Sequence, residues 1–320
     1  MMRYPGFIDI GTVIPAGKWK QASELALRSG YTYLIASPSA DEIITEKEQI
    51  QSFLQEAAAD SQCDYTKLAN ITPENIRTTE EWADEVPGAF LDFSVFSEAG
   101  SFAQMNLLTR LFSRWPADKP ICVRGTESQI GSAIFMGQVH QRKVHVCGAA
   151  TRPVIELISE AKRSGLKVTC DIHPLSLMIS AEEGSEGSLP LRAKGTEDDR
   201  RALWQYFKNI DCFSSANYQA ANGNGAEGLN VMLPLLFSML NSEMLKLEDI
   251  LLRCCMNPAK LFGIRLEPST YIELDEERIR EGGSGSYVKT VSLHGKTVCS
   301  SENVKKYRMR RAERNRRKFF

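Results

Sequence analysis

No run in the chain approaches the ~20 consecutive apolar residues of a membrane span. The opening Met1-Met2-Arg3-Tyr4-Pro5-Gly6 lacks the apolar core of a secretory leader. There is no Cys-x-x-Cys pair. Of the eight cysteines, Cys122, Cys147, Cys170 and Cys212 sit inside apolar, strand-like runs, and Cys254-Cys255 lie in a helical pattern. That usage excludes a disulfide framework and reads as reduced, buried, cytosolic thiol. The first strand-like run leads into IDIGTVIPAG, not Gly-x-Gly-x-x-Gly, so a doubly wound sheet would lack its phosphate-binding turn. No nucleic-acid module and no aromatic interleaving accompany the basic residues.

What is present is a chain of 320 residues, 42% hydrophobic and 25% charged, enough for one large α/β domain with a well-buried core. The net charge of −1 is unevenly placed. Residues 305–320 carry nine Lys/Arg against Glu313, a net of +8, which leaves −9 on residues 1–304. The tail reads first as a solvated helix or linker. A docking segment for an acidic neighbour comes second, and a nucleic-acid arm last.

Strand-like and helix-like stretches alternate. The expected strands are one within 7–17 that feeds a loop, then 31–36, 64–71, 89–95, 120–124, 143–148, 167–172 and 210–214. Helical patterns follow them at 18–29, 46–59, 73–84, 101–114, 128–139, 152–164, 197–207 and 229–240, with one or two more over 246–262. Thr72 is a plausible N-cap. Eight strand–helix units predict a (β/α)8 TIM-type barrel, with a doubly wound open sheet as the alternative. The expected organisation is a barrel over 1–266, a small β appendage over 267–304 and a basic tail or linker over 305–320. The GGSGS at 282–286 reads as a natural flexible loop or an engineered linker.

Six stretches together resemble the dihydroorotase family of the amidohydrolase superfamily. They are PGFIDIG (5–11), VHVCGAA (144–150), GLKVTCDIHPL (165–175), RRALWQYFKNIDCFSSA (200–216), EGLNVMLPLL (227–236) and NPAKLFGI (257–264). They occur in family order and span nearly the whole chain. The likeness is greatest to the inactive dihydroorotase-like domains of fungal CAD-like multifunctional pyrimidine-synthesis proteins. The resemblance implies a zinc-activated water at the C-terminal ends of the barrel strands, with a strand-eight Asp handling the proton. Carried over one position at a time, that machinery is missing. The two histidines of the strand-one Asp-x-His-x-His fall on Gly11 and Val13, after Asp9. The strand-four lysine falls on or next to Phe90, the strand-five histidine on Arg124, the strand-six histidine on Gly148 and the strand-eight Asp on Ala216. The substrate-binding Arg and Asn fall on Pro15 and Ser39. Gly, Val, Phe and Ala offer zinc no donor atom, and Arg stays protonated.

Strand alternation puts positions 9, 11 and 13 on one face. It sets His145 off the ligand face, as a satisfied histidine between strand and helix. Cys147 and Cys170 read as buried thiols. Asp171 and His173 are the best residual pair for a ligand or anion site, though two donors make a poor zinc site. Asp9 suits an inert hydrogen-bonding role. Arg124, if it enters the mouth, needs a carboxylate from Asp92 or Asp171. The resulting expectation is a pseudo-dihydroorotase with no catalytic residues, metal or cofactor. Its role would be structural, scaffolding or dimerising, in the cytoplasm, without membrane or nucleic acid. The resemblance implies neighbouring carbamoyl phosphate synthetase and aspartate transcarbamoylase domains and a homodimer. The alternatives are an active amidohydrolase with a rebuilt site and an inactive cytoskeletal scaffold of the dihydropyrimidinase-related kind.

Overall fold

The computed structural model describes residues 3–15, 17–38, 46–95, 101–181, 195–215, 227–281 and 287–300. The GGSGS stretch and the basic tail lie outside them. The strands are β1 (Arg3–Pro5), β2 (Phe7–Val13), β3 (Tyr31–Ser37), β4 (Asp64–Lys67), β5 (Ala69–Asn70), β6 (Ala89–Asp92), β7 (Ile121–Arg124), β8 (Val144–Val146), β9 (Val168–Ile172), β10 (Cys212–Phe213), β11 (Tyr271–Leu274), β12 (Val288–Leu293) and β13 (Lys296–Ser300). The helices are α1 (Trp19–Arg28), α2 (Lys47–Asp60), α3 (Thr79–Trp82), α4 (Ser101–Arg114), α5 (Glu127–His140), α6 (Arg152–Arg163), α7 (Glu197–Gln205), α8 (Gly228–Asn241), α9 (Leu247–Leu251), α10 (Asn257–Phe262) and α11 (Glu276–Glu281).

Strands β2 to β10 build the parallel barrel of the expected (β/α)8 architecture. The third staves are split. β4 pairs with β3, whereas β5 pairs with β6. Leu68, between them, joins the two parts through its N–H to the Ala36 carbonyl at 3.0 Å. Ladder hydrogen bonds thus form a three-stranded piece and a six-stranded piece ending at β10. The helical expectation at 73–84 is only partly met. Asn75 is buried, and its side chain accepts from Thr72 N–H at 2.9 Å and donates to Asn70 O at 2.7 Å. That local turn competes with a helix, which starts only at Thr79.

Two cores follow from the strand period. An outer one lies between staves and helices, with Phe7, Leu34, Leu91, Val123 and Val146 pointing outward. An inner one fills the barrel with Ile8, Ile10, Ile35, Leu68, Phe90 and Cys122. Leu261 and Phe262 of α10 join it, so the NPAKLFG segment plugs the foot of the barrel. Pro258 in its first turn and Gly263 at φ +67° after its last suit a short, sharply ended helix. A π-helical stretch, Leu252–Met256, runs into it from α9. Beside the barrel stands an antiparallel sheet in the order β1-β11-β12-β13. Its first strand comes from the start of the chain, and Arg3 Nε bonds Glu273 at 3.1 Å across that pairing.

Candidate functional site

The C-terminal ends of the staves open on a cleft of about 600 Å³ lined by Ser37, Phe90, Asp92, Arg124, Cys147 and Gly148, among others. Arg124 is the last residue of β7, and register sets it beside Asp92 of β6. Its Nε donates to Asp92 Oδ2 at 3.0 Å, and Nη2 donates to the same oxygen. Asp92 Oδ1 accepts from the Ser94 N–H at 3.0 Å and the Ser94 hydroxyl at 2.8 Å. The guanidinium carbon lies 5.1 Å from the centre of the Phe90 ring. Burial pushes the Asp92 carboxyl up, but bonds from Arg124 and Ser94 outweigh it and hold the group below the usual carboxylate range. The mouth therefore carries a protein cation already matched to a protein anion.

Gly11 and Gly148, two of the positions matched to ligand histidines, have φ of +88° and +68°. The β2–β3 register steps from Ile10↔Ile35 to Val13↔Ser37, a bulge of one extra residue around Gly11 and Thr12. The expected single face for 9, 11 and 13 is therefore broken after Ile10. Val13 is half-buried, Phe90 is buried and Pro15 is exposed. Ser39 and Ala216 lie outside the described residues.

Deeper in the barrel, Asp171 gathers a buried network. Its Oδ2 lies 2.9 Å from His145 Nε2. Its Oδ1 accepts from Gly148 N–H at 3.1 Å and the Ser214 hydroxyl at 2.5 Å. His145 Nδ1 meets Thr169 Oγ1 at 2.9 Å. His145 shares a strand face with Cys147 and lies edge-on to Phe262 at 6.3 Å, so it faces the barrel interior. The expectation of a place between strand and helix is corrected. Asp171 also takes His145, not His173, as its partner. His173 Nδ1 accepts from Leu175 N–H at 3.2 Å, and burial pushes its pKa down to about 3, so it is neutral. Cys170 faces the outer core, where its sulfur bonds Asn209 O at 3.4 Å.

A third polar cluster spans the seam between β10 and β2. Asp9 Oδ1 accepts from Ser215 N–H at 2.9 Å, and Oδ2 accepts from Ser215 Oγ at 2.6 Å and from Thr12 Oγ1. The two hydroxyls lie 2.8 Å apart. Burial raises the Asp9 carboxyl to about 6, against the lowering effect of these bonds. The hydrogen-bonding role expected of Asp9 matches this geometry, and its partners Thr12 and Ser215 carry no sequence signal of their own.

These residues do not fit the zinc centre that the resemblance implies. Gly11, Val13, Phe90 and Gly148 supply no donor, and Arg124 puts a cation at the mouth. Among the described residues, donor atoms of His145, Cys147 and Asp171 lie within 4.8 Å of one another. Both ring nitrogens of His145 and both Asp171 oxygens are already engaged. Cys147 hydrogen-bonds Cys122, which with burial drives its thiol well above the ordinary range and keeps it protonated. The donors of this group are thus already engaged by neighbouring groups of the protein. Sequence reasoning missed Ser94, Thr169 and Ser214, because short hydroxyl side chains acquire these roles only through tertiary proximity.

A barrel of this topology with its polar residues at the strand ends has the amidohydrolase TIM-barrel fold. The L-hydantoinase (dihydropyrimidinase) of Arthrobacter aurescens superposes on it with a TM-score of 0.76 at 17% identity, over 93% of this chain and 85% of that one. The resemblance narrows to one branch of that fold. The inactive dihydroorotase-like domain of the Chaetomium thermophilum CAD-like multifunctional protein matches with a TM-score of 0.79 and 23% identity, over 93% of this chain and 95% of that one. The multifunctional protein pyrABCN of Emericella nidulans is 29% identical over 94% of this chain. The chain spans only 14% of that relative's length. No family model matches the sequence. Among the described residues no helix is long and apolar enough to cross a membrane.

Proposed function

We propose that the chain is a catalytically inactive dihydroorotase-like domain with a structural role in a multifunctional protein of pyrimidine synthesis. The carrying observation is the Arg124–Asp92 pair over Phe90, which occupies the strand ends where the resemblance calls for metal ligands. On this reading, residues 1–266 form the barrel, apart from β1 (Arg3–Pro5), which pairs into the β appendage of 267–304. The basic tail from Lys305 leads to a neighbouring catalytic domain. The neighbours are carbamoyl phosphate synthetase and aspartate transcarbamoylase domains of the same cytoplasmic polypeptide, and the barrel pairs with a second copy.

The test is dihydroorotate turnover by the zinc-supplemented chain and by Gly11→His/Val13→His. Both should stay at background, since a zinc centre needs at least three protein ligands and an open position. At Gly11 a histidine also meets a left-handed backbone, costing about 1–2 kcal/mol. Turnover by either protein would refute inactivity. The second reading, an amidohydrolase with a rebuilt site, rests on the grouping of His145, Cys147 and Asp171. It requires tightly bound zinc together with hydantoin or dihydroorotate hydrolysis.

A further inference from the structure

At the foot of the barrel, away from the mouth, a hollow of about 250 Å³ opens between the starts of β8, β9 and β10 and the helix α10. Lys143 and Lys167 stand immediately before β8 and β9, and the Val144 N–H bonds the Lys167 carbonyl at 2.9 Å, so the two are neighbours. Lys260 joins them from α10, with Asn257 one turn earlier on the same helix. Lys143 Nζ donates to the Asp118 carbonyl at 2.6 Å. Among the described residues, no ion pair engages any of these three lysines. Asp211 also lines the hollow, but its Oδ2 is held by Lys162 at 2.5 Å and Cys170 N–H at 2.8 Å. Three lysines that form no ion pair among the described residues thus line one hollow of a body that is otherwise net negative. Their mutual repulsion is relieved by an anion placed among them.

We propose that this hollow binds a small phosphorylated molecule, with Lys143, Lys167 and Lys260 around its phosphate oxygens. Lysine binds phosphate as a point charge on a flexible stem, so three of them suit a group with several negative charges. The volume holds on the order of eight waters, which fits a phosphate or diphosphate but not a length of peptide. Thr169, Cys212 and Leu261 also line it. Thr169 bonds His145 and, through it, Asp171, so an occupant would rest on the buried network that reaches the mouth.

The test is isothermal titration and thermal melting of the full chain with pyrophosphate at low ionic strength, where screening is weak. Saturable binding of one pyrophosphate per chain is expected, exceeding the effect of sodium chloride at equal ionic strength. Lys167→Gln/Lys260→Gln should weaken it by about tenfold or more. The unliganded melting temperature should not move, because both side chains are exposed. A nucleoside diphosphate binding through the same lysines, more tightly than pyrophosphate, would identify an ester as the occupant. Equal pyrophosphate binding by wild type and variant overturns the proposal. So does a Glu-rich peptide that needs these lysines while pyrophosphate does not compete, since the hollow would then be a protein-docking surface.

Discussion

Arg124 and Asp92 show how one pair of side chains sets the charge balance of the barrel mouth. The Asp92 side chain is 12% exposed and that of Arg124 34%, so neither charge is freely solvated. Asp92→Ala should therefore cost about 1–3 kcal/mol, between a surface pair and a buried one, in urea unfolding. Asp92→Ala/Arg124→Leu should recover part of that loss, because no charge is then left alone. A double variant as unstable as the sum of both single variants would show that the pair does not couple. Asp9 makes a different demand. Its carboxyl is raised from 3.8 to about 6, so the folded state holds a proton that the unfolded chain has released. Stability from this group is therefore greatest below its unfolded pKa and falls as pH rises to about 6. Asn can keep the bonds to Ser215 and Thr12 without a charge. The stability of wild type relative to Asp9→Asn should decline by about 3 kcal/mol across that range, as seen in paired melts at several pH values. A constant difference would mean that Asp9 is not strained by burial.

At the scale of elements, the tight turn between β12 and β13 fastens the antiparallel sheet to the barrel. His294 and Gly295 both have positive φ, +49° and +80°, as a two-residue hairpin requires. His294 Nε2 meets Asp64 Oδ1 of β4 at 2.9 Å, and Nδ1 meets Glu267 Oε2 at 2.9 Å. Carboxylates only accept, so both ring nitrogens must carry protons. The bonds that His294 donates to Asp64 and then Glu267 raise its pKa above 6.5. Arg265, Tyr33 and Tyr65 line the same hollow and add no further carboxylate. The fastening is complete below the unfolded pKa and is lost as pH rises through the raised folded value. The melting temperatures of wild type and His294→Gln should differ most in mild acid and converge in mild alkali. A gap that widens with pH would reverse this assignment. Glu267→Gln should shrink the gap by itself.

At the scale of the whole molecule, the barrel closes with little backbone pairing at one seam. β10 is two residues long, and Asp9 and Ser215 link its end to β2. On the function proposed above, the two well-filled cores serve to hold partners together. Phe135 and Val139, one turn apart on α5, are 61% and 55% exposed on the barrel flank. In sedimentation, this chain at high micromolar concentration should run as a dimer if it pairs with a second copy as proposed. A strict monomer there, and in a longer chain lacking any transcarbamoylase part, would leave a spacer role only.

The sequence by itself determined the alternation of staves and helices, because apolar period and Gly/Pro punctuation are local properties. It also shows that Gly11, Val13, Phe90 and Gly148 carry no metal donor, since side-chain chemistry does not depend on the fold. It could not place the bulge at Gly11, which turns on the register between β2 and β3. Nor could it choose between Asp92 and Asp171 as the partner of Arg124. Residues 32 positions apart meet only through the register of β6 and β7. Alternation counted from Gly148 puts His145 on the wrong side, because Gly148 lies in a turn that has left the strand. The lysine hollow was invisible for the same reason. Lys143, Lys167 and Lys260 are unremarkable in a row of letters, and only closure of the barrel onto α10 brings their charges together.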